Sequence, residues 1–227
     1  MISNMAVILA IETTTKNCSA ALFQDGKELL CYEKLSQEYT HAEKLTVYLQ
    51  ELMKHLELSF NDLDAIAISQ GPGSYTGLRI GTSVAKGLCY SLEIPLISIS
   101  TLKGMAYQKS VSEEYELFCP MLDARRMEVF AAIYDKDNQE IRAVRADVVD
   151  KETYGDYLHQ KILFFGDGAL KCREVISHKN AYFLNDIYPS ARNLGVLANN
   201  KFIKKDFEDI AYFEPFYLKD FVAGKKN

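Results

Sequence analysis

The sequence predicts an α/β protein of two like halves, each a mixed sheet flanked by helices. Three observations carry that expectation. The first half reads, in order, as three strands, a helix, a strand, a helix, a strand and a helix. A meander followed by strands joined through helices makes a sheet with both antiparallel and parallel pairs. After residue 110 a second meander begins, and the spacing that carries Glu12 onto Asp123 also carries Ala21 onto Ala132 and Phe23 onto Tyr134. Element order repeated at one spacing points to internal duplication. Finally, each half ends its first strand on an acidic residue, Glu12 or Asp123. No linker or low-complexity segment intervenes, so the lobes are expected to span 1–110 and 111–227.

The elements justify themselves one by one. Met5 to Ile11 is a continuous apolar strand running into Glu12-Thr13-Thr14-Thr15, and Cys18 to Gln24 is a second strand of small and apolar residues. Asp25-Gly26 is a two-residue hairpin signal, because both positions of such a turn need positive φ. A third strand runs from Lys27 to about Leu35. Thr40-His41-Ala42-Glu43 then fits a capping box, opening a helix with an apolar stripe of Leu45, Leu49, Leu52 and Leu56 flanked by Tyr48 and Met53. That stripe is wider than a lone surface helix needs. Strands follow at Leu63–Ser69 and Pro95–Ile99, separated by a helix beginning at Ser74 or Thr76, and a short helix starts near Leu102. In the second half, strands are expected at Leu117–Leu122, Glu128–Tyr134, Glu140–Val149 and Ile162–Phe165. Helices are expected near 151–158, from Gly168 to about Ser177, and near 190–202.

The densest signal is Gln70 to Leu92, QGPGSYTGLRIGTSVAKGLCYSL. Gly71-Pro72-Gly73 turns the chain sharply out of a buried strand. The helix beyond has one narrow polar stripe, Arg79, Ser83, Lys86 and Tyr90, and is otherwise small or apolar. Such a helix must be covered on more than one side. Gly73, Gly77, Gly81 and Ala85 recur every fourth residue, forming a ridge without side chains. Interior glycine costs about 1 kcal/mol relative to alanine, so close approach by another backbone is expected there. The ridge can serve packing on this chain's own sheet or on a second polypeptide. The second is the outcome expected at Gly81, so Gly81→Leu should leave the monomer's melting unchanged and weaken association.

Composition narrows the function classes. With 48% hydrophobic and 25% charged residues, 227 residues can bury one domain's core or two small ones. No apolar run approaches the roughly 18 residues of a membrane span, and MISNMAVILAIE lacks the basic start of a signal peptide. Five scattered cysteines without C-x-x-C read as reduced core residues of a cytoplasmic protein. A net charge of −5, with basic clusters only at Lys201/Lys204/Lys205 and Lys225-Lys226, argues against nucleic-acid binding by this chain alone. Affinity for a nucleic acid is expected in the non-specific range, about 10⁻⁴ to 10⁻⁶ M.

Familiar catalytic motifs fail on inspection. Walker A needs Gly-Lys-Ser/Thr where Gly77-Leu78-Arg79 stands, and the dinucleotide fingerprint needs glycine at Thr76. Among His41, His55, His159 and His178 no pair is three or four residues apart, so a helical two-histidine metal face is absent. No G-x-S-x-G elbow occurs. Two ribonuclease-H-like lobes with acidic first-strand ends describe the actin/Hsp70/sugar-kinase architecture, where hairpins after those acids hold phosphate and metal. Such hairpins need glycine for close phosphate approach. Neither Glu12-Thr13-Thr14 nor Asp123-Ala124-Arg125 has one, so Glu12, Thr13 and Asp123 read as degenerate nucleotide-site positions. Asp123-Ala124-Arg125-Arg126 can equally be a structural ion-pair corner.

The strings LAIETTT, SQGPGSYTGLRIGTSVAKGL, MLDARRMEVFAA and EPFYL, spread from about Ala6 to Leu218, resemble the bacterial TsaB (YeaZ) family. That resemblance implies the actin/Hsp70-like fold and a non-catalytic subunit of the tRNA threonylcarbamoyladenosine machinery. Its paralogue TsaD carries the paired metal histidines and the transferase site, and TsaE is an ATPase partner. It further implies that the first two helices pack against those of TsaD, or of a second copy, as a four-helix arrangement. On this chain the interface would be Leu45, Tyr48, Leu49, Leu52, Gly77, Gly81, Val84, Ala85 and Leu88. tRNA would be met only through the complex, with no cofactor, metal or membrane. Glu12 stands where many relatives have aspartate, and nothing supports the glycoprotease label of some relatives. The alternative is an ATPase or small-molecule kinase of the same fold using Glu12 and Asp123.

Overall fold

The computed structural model describes residues 6–36, 41–110 and 114–219. Met5, the capping residue Thr40 and the Lys225-Lys226 pair lie outside the described residues. The first meander is β1 (Val7–Glu12), β2 (Asn17–Gln24) and β3 (Lys27–Leu35). Asp25 and Gly26 join β2 to β3 with φ of 50° and 78°, as their residue types favour. Then come α1 (His41–His55), β4 (Ala65–Gly71), α2 (Tyr75–Leu92), β5 (Leu96–Ser100) and α3 (Thr101–Ser110). β1 pairs antiparallel with β2 and parallel with β4, which pairs parallel with β5. The sheet order is β3-β2-β1-β4-β5.

The second sheet repeats this plan. Its strands are β6 (Leu117–Asp123), β7 (Glu128–Asp135), β8 (Glu140–Val148), β9 (Ile162–Phe165) and β10 (Ala181–Leu184). Their order, β8-β7-β6-β9-β10, matches the first sheet strand for strand. The molecule is thus the duplicated ribonuclease-H-like α/β architecture of the actin/Hsp70/sugar-kinase type. β10, the four residues AYFL, was not expected. The expected helices shrink. A 3-10 turn at Gly155–Tyr157 replaces the one near 151–158, and α4 (Ala169–Cys172) is a single turn. The last one divides into a 3-10 turn at Ala191–Asn193 and α5 (Gly195–Ile203).

Strand alternation sends side chains to two cores per sheet. From β1, Leu9 and Ile11 join Leu45, Leu49 and Leu52 of α1 and Ala85 and Cys89 of α2. Ile8 and Ala10 face the opposite way, onto Ala191, Leu194 and Ala198. The final helices are exchanged between lobes. α3 lays Leu102, Met105 and Ala106 on Phe118, Leu122 and Tyr134 of the second sheet. α5 returns to the first, where a Cβ on Gly195 would lie 2.1 Å from the Phe23 ring. Fully burying a large apolar side chain contributes roughly 1.5–3 kcal/mol, so this exchange ties each lobe's core to the other's chain segment.

Candidate functional site

The Gly71–Gly77 turn and α2 meet the β1–β2 turn backbone to backbone. Ser74 caps α2, its Oγ accepting from the Gly77 N–H at 3.3 Å, and the Ser74 N–H donates to the Thr14 carbonyl at 2.6 Å. Thr13 Oγ1 donates to the Gly77 carbonyl at 2.7 Å. A Cβ on Gly73 would lie 2.5 Å from Thr14 Cβ, on Gly77 2.0 Å from the Thr13 carbonyl oxygen, and on Gly81 2.4 Å from Thr13 Oγ1. The ridge therefore exists for this chain's own first hairpin.

That corrects part of the expected interface. Gly77, Gly81 and Ala85 are buried against the chain's own turn and sheet, and Leu45, Leu49 and Leu52 are at most 4% exposed in its own core. A group already closed off by its own fold has no surface to offer. The expectation that Gly81→Leu would spare the monomer falls with it, because the added side chain meets Thr13. Val84 and Leu88 remain half-buried on α2, as does Ile80; on α1, half-buried Tyr48 stacks on Tyr32 of β3, and Val47 is 46% exposed.

Glu12 and Asp123, equivalent in sequence, have different surroundings. Glu12 is 1% exposed. Its Oε1 accepts from the Thr14 N–H and Thr14 Oγ1, both at 2.5 Å, and its Oε2 from Ser69 Oγ. Burial pushes its carboxyl above the usual range, and the Ser69 and Thr14 donors partly counter that. The acid braces its own hairpin. Asp123 is exposed; it pairs with Lys171 and accepts from the Arg125 N–H at 3.0 Å. Its own N–H donates to Asp167 Oδ1 at 2.9 Å. Lys171 also donates to the Glu128 carbonyl at 2.6 Å, and Lys219 pairs with the Glu128 carboxylate at 2.5 Å.

A C-terminal strap, residues 208–217, was not foreseen. The Glu208 N–H donates to the Leu96 carbonyl at 2.9 Å, capping the edge of β5, and Phe213 enters the first lobe's core. Lys86 Nζ donates to the carbonyls of Ala211 at 3.3 Å and Phe213 at 3.1 Å. The Phe216 N–H donates to the Gln70 carbonyl at 2.7 Å, and the Tyr75 and Tyr217 rings lie 5.0 Å apart. Arg79 sits 4.0 Å from the Tyr75 ring centroid. The polar stripe of α2 thus anchors the strap. Its Lys86 and Arg79 were the available sequence signal, together with EPFYL.

Cys18, Cys89, Cys119 and Cys172 are buried free thiols, and burial pushes Cys18 and Cys89 up to about 12. Among the described residues no group of three His, Cys, Asp or Glu could hold a metal ion, and no helix is long and apolar enough to cross a membrane.

Comparison with known proteins gives a consistent picture. The family model described as TsaD, tRNA N6-adenosine threonylcarbamoyltransferase, matches residues 33–226. The chain is 30% identical to the tRNA threonylcarbamoyladenosine biosynthesis protein TsaB of Escherichia coli (strain K12), over 96% of this chain and 97% of that one. Identity to the Haemophilus influenzae protein of the same name is 28%, over 96% of both chains. A tRNA N6-adenosine threonylcarbamoyltransferase of Bacillus anthracis is 30% identical, but over 48% of this chain and 36% of its own length. Among solved structures, YeaZ from Pseudomonas aeruginosa superimposes with a TM-score of 0.80 at 26% identity, covering 94% of this chain and all of that one.

Proposed function

Because the chain belongs to the TsaB (YeaZ) family of tRNA threonylcarbamoyladenosine biosynthesis, we propose that it is a non-catalytic subunit that binds the TsaD transferase and supports its working form. The observation that carries this is the row of incompletely buried apolar side chains along one side of α2, Ile80, Val84 and Leu88. An apolar row on the outer side of a helix suits a protein contact. The same face would serve a homodimer, with TsaE joining the larger complex and tRNA met through the assembly. The competing kinase or ATPase reading needs two reachable carboxylates. It is disfavoured because Glu12 is enclosed by Ser69 and Thr14 and Thr13 is tied to Gly77.

The test is a pair of variants, Val84→Asp and Leu88→Asp, titrated calorimetrically against TsaD. Both positions are half-exposed, so the monomer should melt within a few degrees of the parent. Affinity for TsaD should fall at least 10-fold, the equivalent of about 1.4 kcal/mol. Parental affinity in both variants would refute the assignment of this face.

A further inference from the structure

The turn from β6 to β7 places two adjacent arginines in left-handed backbone, Arg125 at φ 72° and Arg126 at φ 48°. Residues with a Cβ avoid that region, and hairpins that need it twice normally use Asn-Gly or Asp-Gly. The only other consecutive pair of positive φ among the described residues is Asp25-Gly26, which obeys that preference. A strained pair of arginines in its place points to selection for the side chains themselves.

Both arginines are exposed, and neither forms an ion pair among the described residues. The acids beside the turn are engaged by lysines: Asp123 by Lys171, Glu128 by Lys219. Two guanidiniums are thus left uncompensated in a chain of net charge −5. The backbone beneath them is firmly set. The Arg125 N–H donates to Asp123 Oδ1 at 3.0 Å, and the Glu128 N–H to the Arg125 carbonyl at 3.0 Å.

We infer that this turn is a phosphate contact for RNA, Arg125 and Arg126 gripping neighbouring phosphodiester groups of the tRNA once the complex holds it. The inference rests on the reading above that the chain works in a tRNA-modifying assembly. Guanidinium forks match phosphate oxygens bidentately, and such contacts set register without reading sequence. A repeating polyanion suits two adjacent cations. Two contacts are too few for tight binding by the isolated chain.

The experiment uses the reconstituted complex of the full chain with TsaD and a labelled tRNA transcript lacking the modification. Wild-type assembly is checked first. If the wild-type chain fails to join TsaD, the functional reading fails and takes this inference with it. With assembly intact, R125Q/R126Q should bind tRNA about 10-fold more weakly near physiological salt. The slope of log affinity against log salt should become shallower by about 1 to 2, since each phosphate contact adds roughly 0.9. R125K/R126K should keep most of that slope. R125N/R126G relieves the backbone and should melt about 2–4 °C higher, yet bind tRNA as weakly as the glutamine variant. A merely structural turn would leave binding untouched. Affinity and slope within twofold of wild type in an intact complex would overturn the inference. So would loss of assembly in R125Q/R126Q, because the arginines would then grip a protein surface.

Discussion

The two lobes share one sheet plan and differ in what they build on it. In the first, the two connections on one face are long helices, α1 of 15 residues and α2 of 18. In the second, the corresponding connections are a three-residue 3-10 turn and the four-residue α4. Both lobes clasp the end of their first strand with a glycine turn after the fourth. A Cβ on Gly166 would lie 2.2 Å from the Met121 carbonyl oxygen, much as one on Gly77 meets Thr13. In the first lobe the clasp continues along α2 through Gly81 and covers the hairpin. In the second it stops with α4, and the Arg125-Arg126 tip stays open. Duplication preserved the sheet, because its ladder tolerates little change, and let the connecting segments diverge.

Three experiments probe this contrast, in descending order of expected effect. Gly77→Val places atoms inside contact distance of the Thr13 carbonyl and should cost about 3 kcal/mol or more. Gly168→Ala tests the shorter clasp, where a Cβ would lie 2.9 Å from the Leu122 carbonyl carbon, and should cost about 1–3 kcal/mol. Chemical denaturation of both variants decides; a milder Gly77 variant would mean that the long clasp is not the tighter one.

Helix length is the next test. Leu52→Ala on α1 empties a fully buried site and should cost roughly 2–5 kcal/mol. Leu170→Ala on α4, 56% exposed, should stay within about 0.5 kcal/mol. Equal losses in thermal unfolding would show that the short helix carries as much core as the long one.

The two acids give a subtler comparison. Glu12 has its carboxyl raised in the folded state, so the native protein holds a proton that the unfolded chain releases first. Stability from this group is therefore present below its unfolded value of 4.5 and is lost as pH rises toward the folded one. Glu12→Gln should remove that loss, gaining on the parent as pH climbs from 4 to 8. Asp123→Asn, at an exposed ion pair, should change stability by less than about 1 kcal/mol. A stability difference between the parent and the Glu12→Gln variant that is flat with pH would contradict the burial argument.

Much of this molecule was legible in its residues. The apolar run of β1, the small-and-apolar pattern of β2, the Asp25-Gly26 turn, the Ser74 cap and the repeated meander are local patterns, and local patterns follow from backbone sterics and period. They led to the duplicated fold and, through the glycine-rich string, to the family. What only the tertiary structure decided was which surface each pattern serves. The Gly77–Gly81 ridge announces a close neighbour, yet nothing in its spacing says whether that neighbour is Thr13 or another chain. Leu45, Leu49 and Leu52 are apolar in either case. The exchange of α3 and α5, the strap on Lys86 and the opposite surroundings of Glu12 and Asp123 join residues far apart in sequence. Such contacts are chosen by whole-chain packing, where buried area and shape are settled together, and no short window of sequence contains both partners.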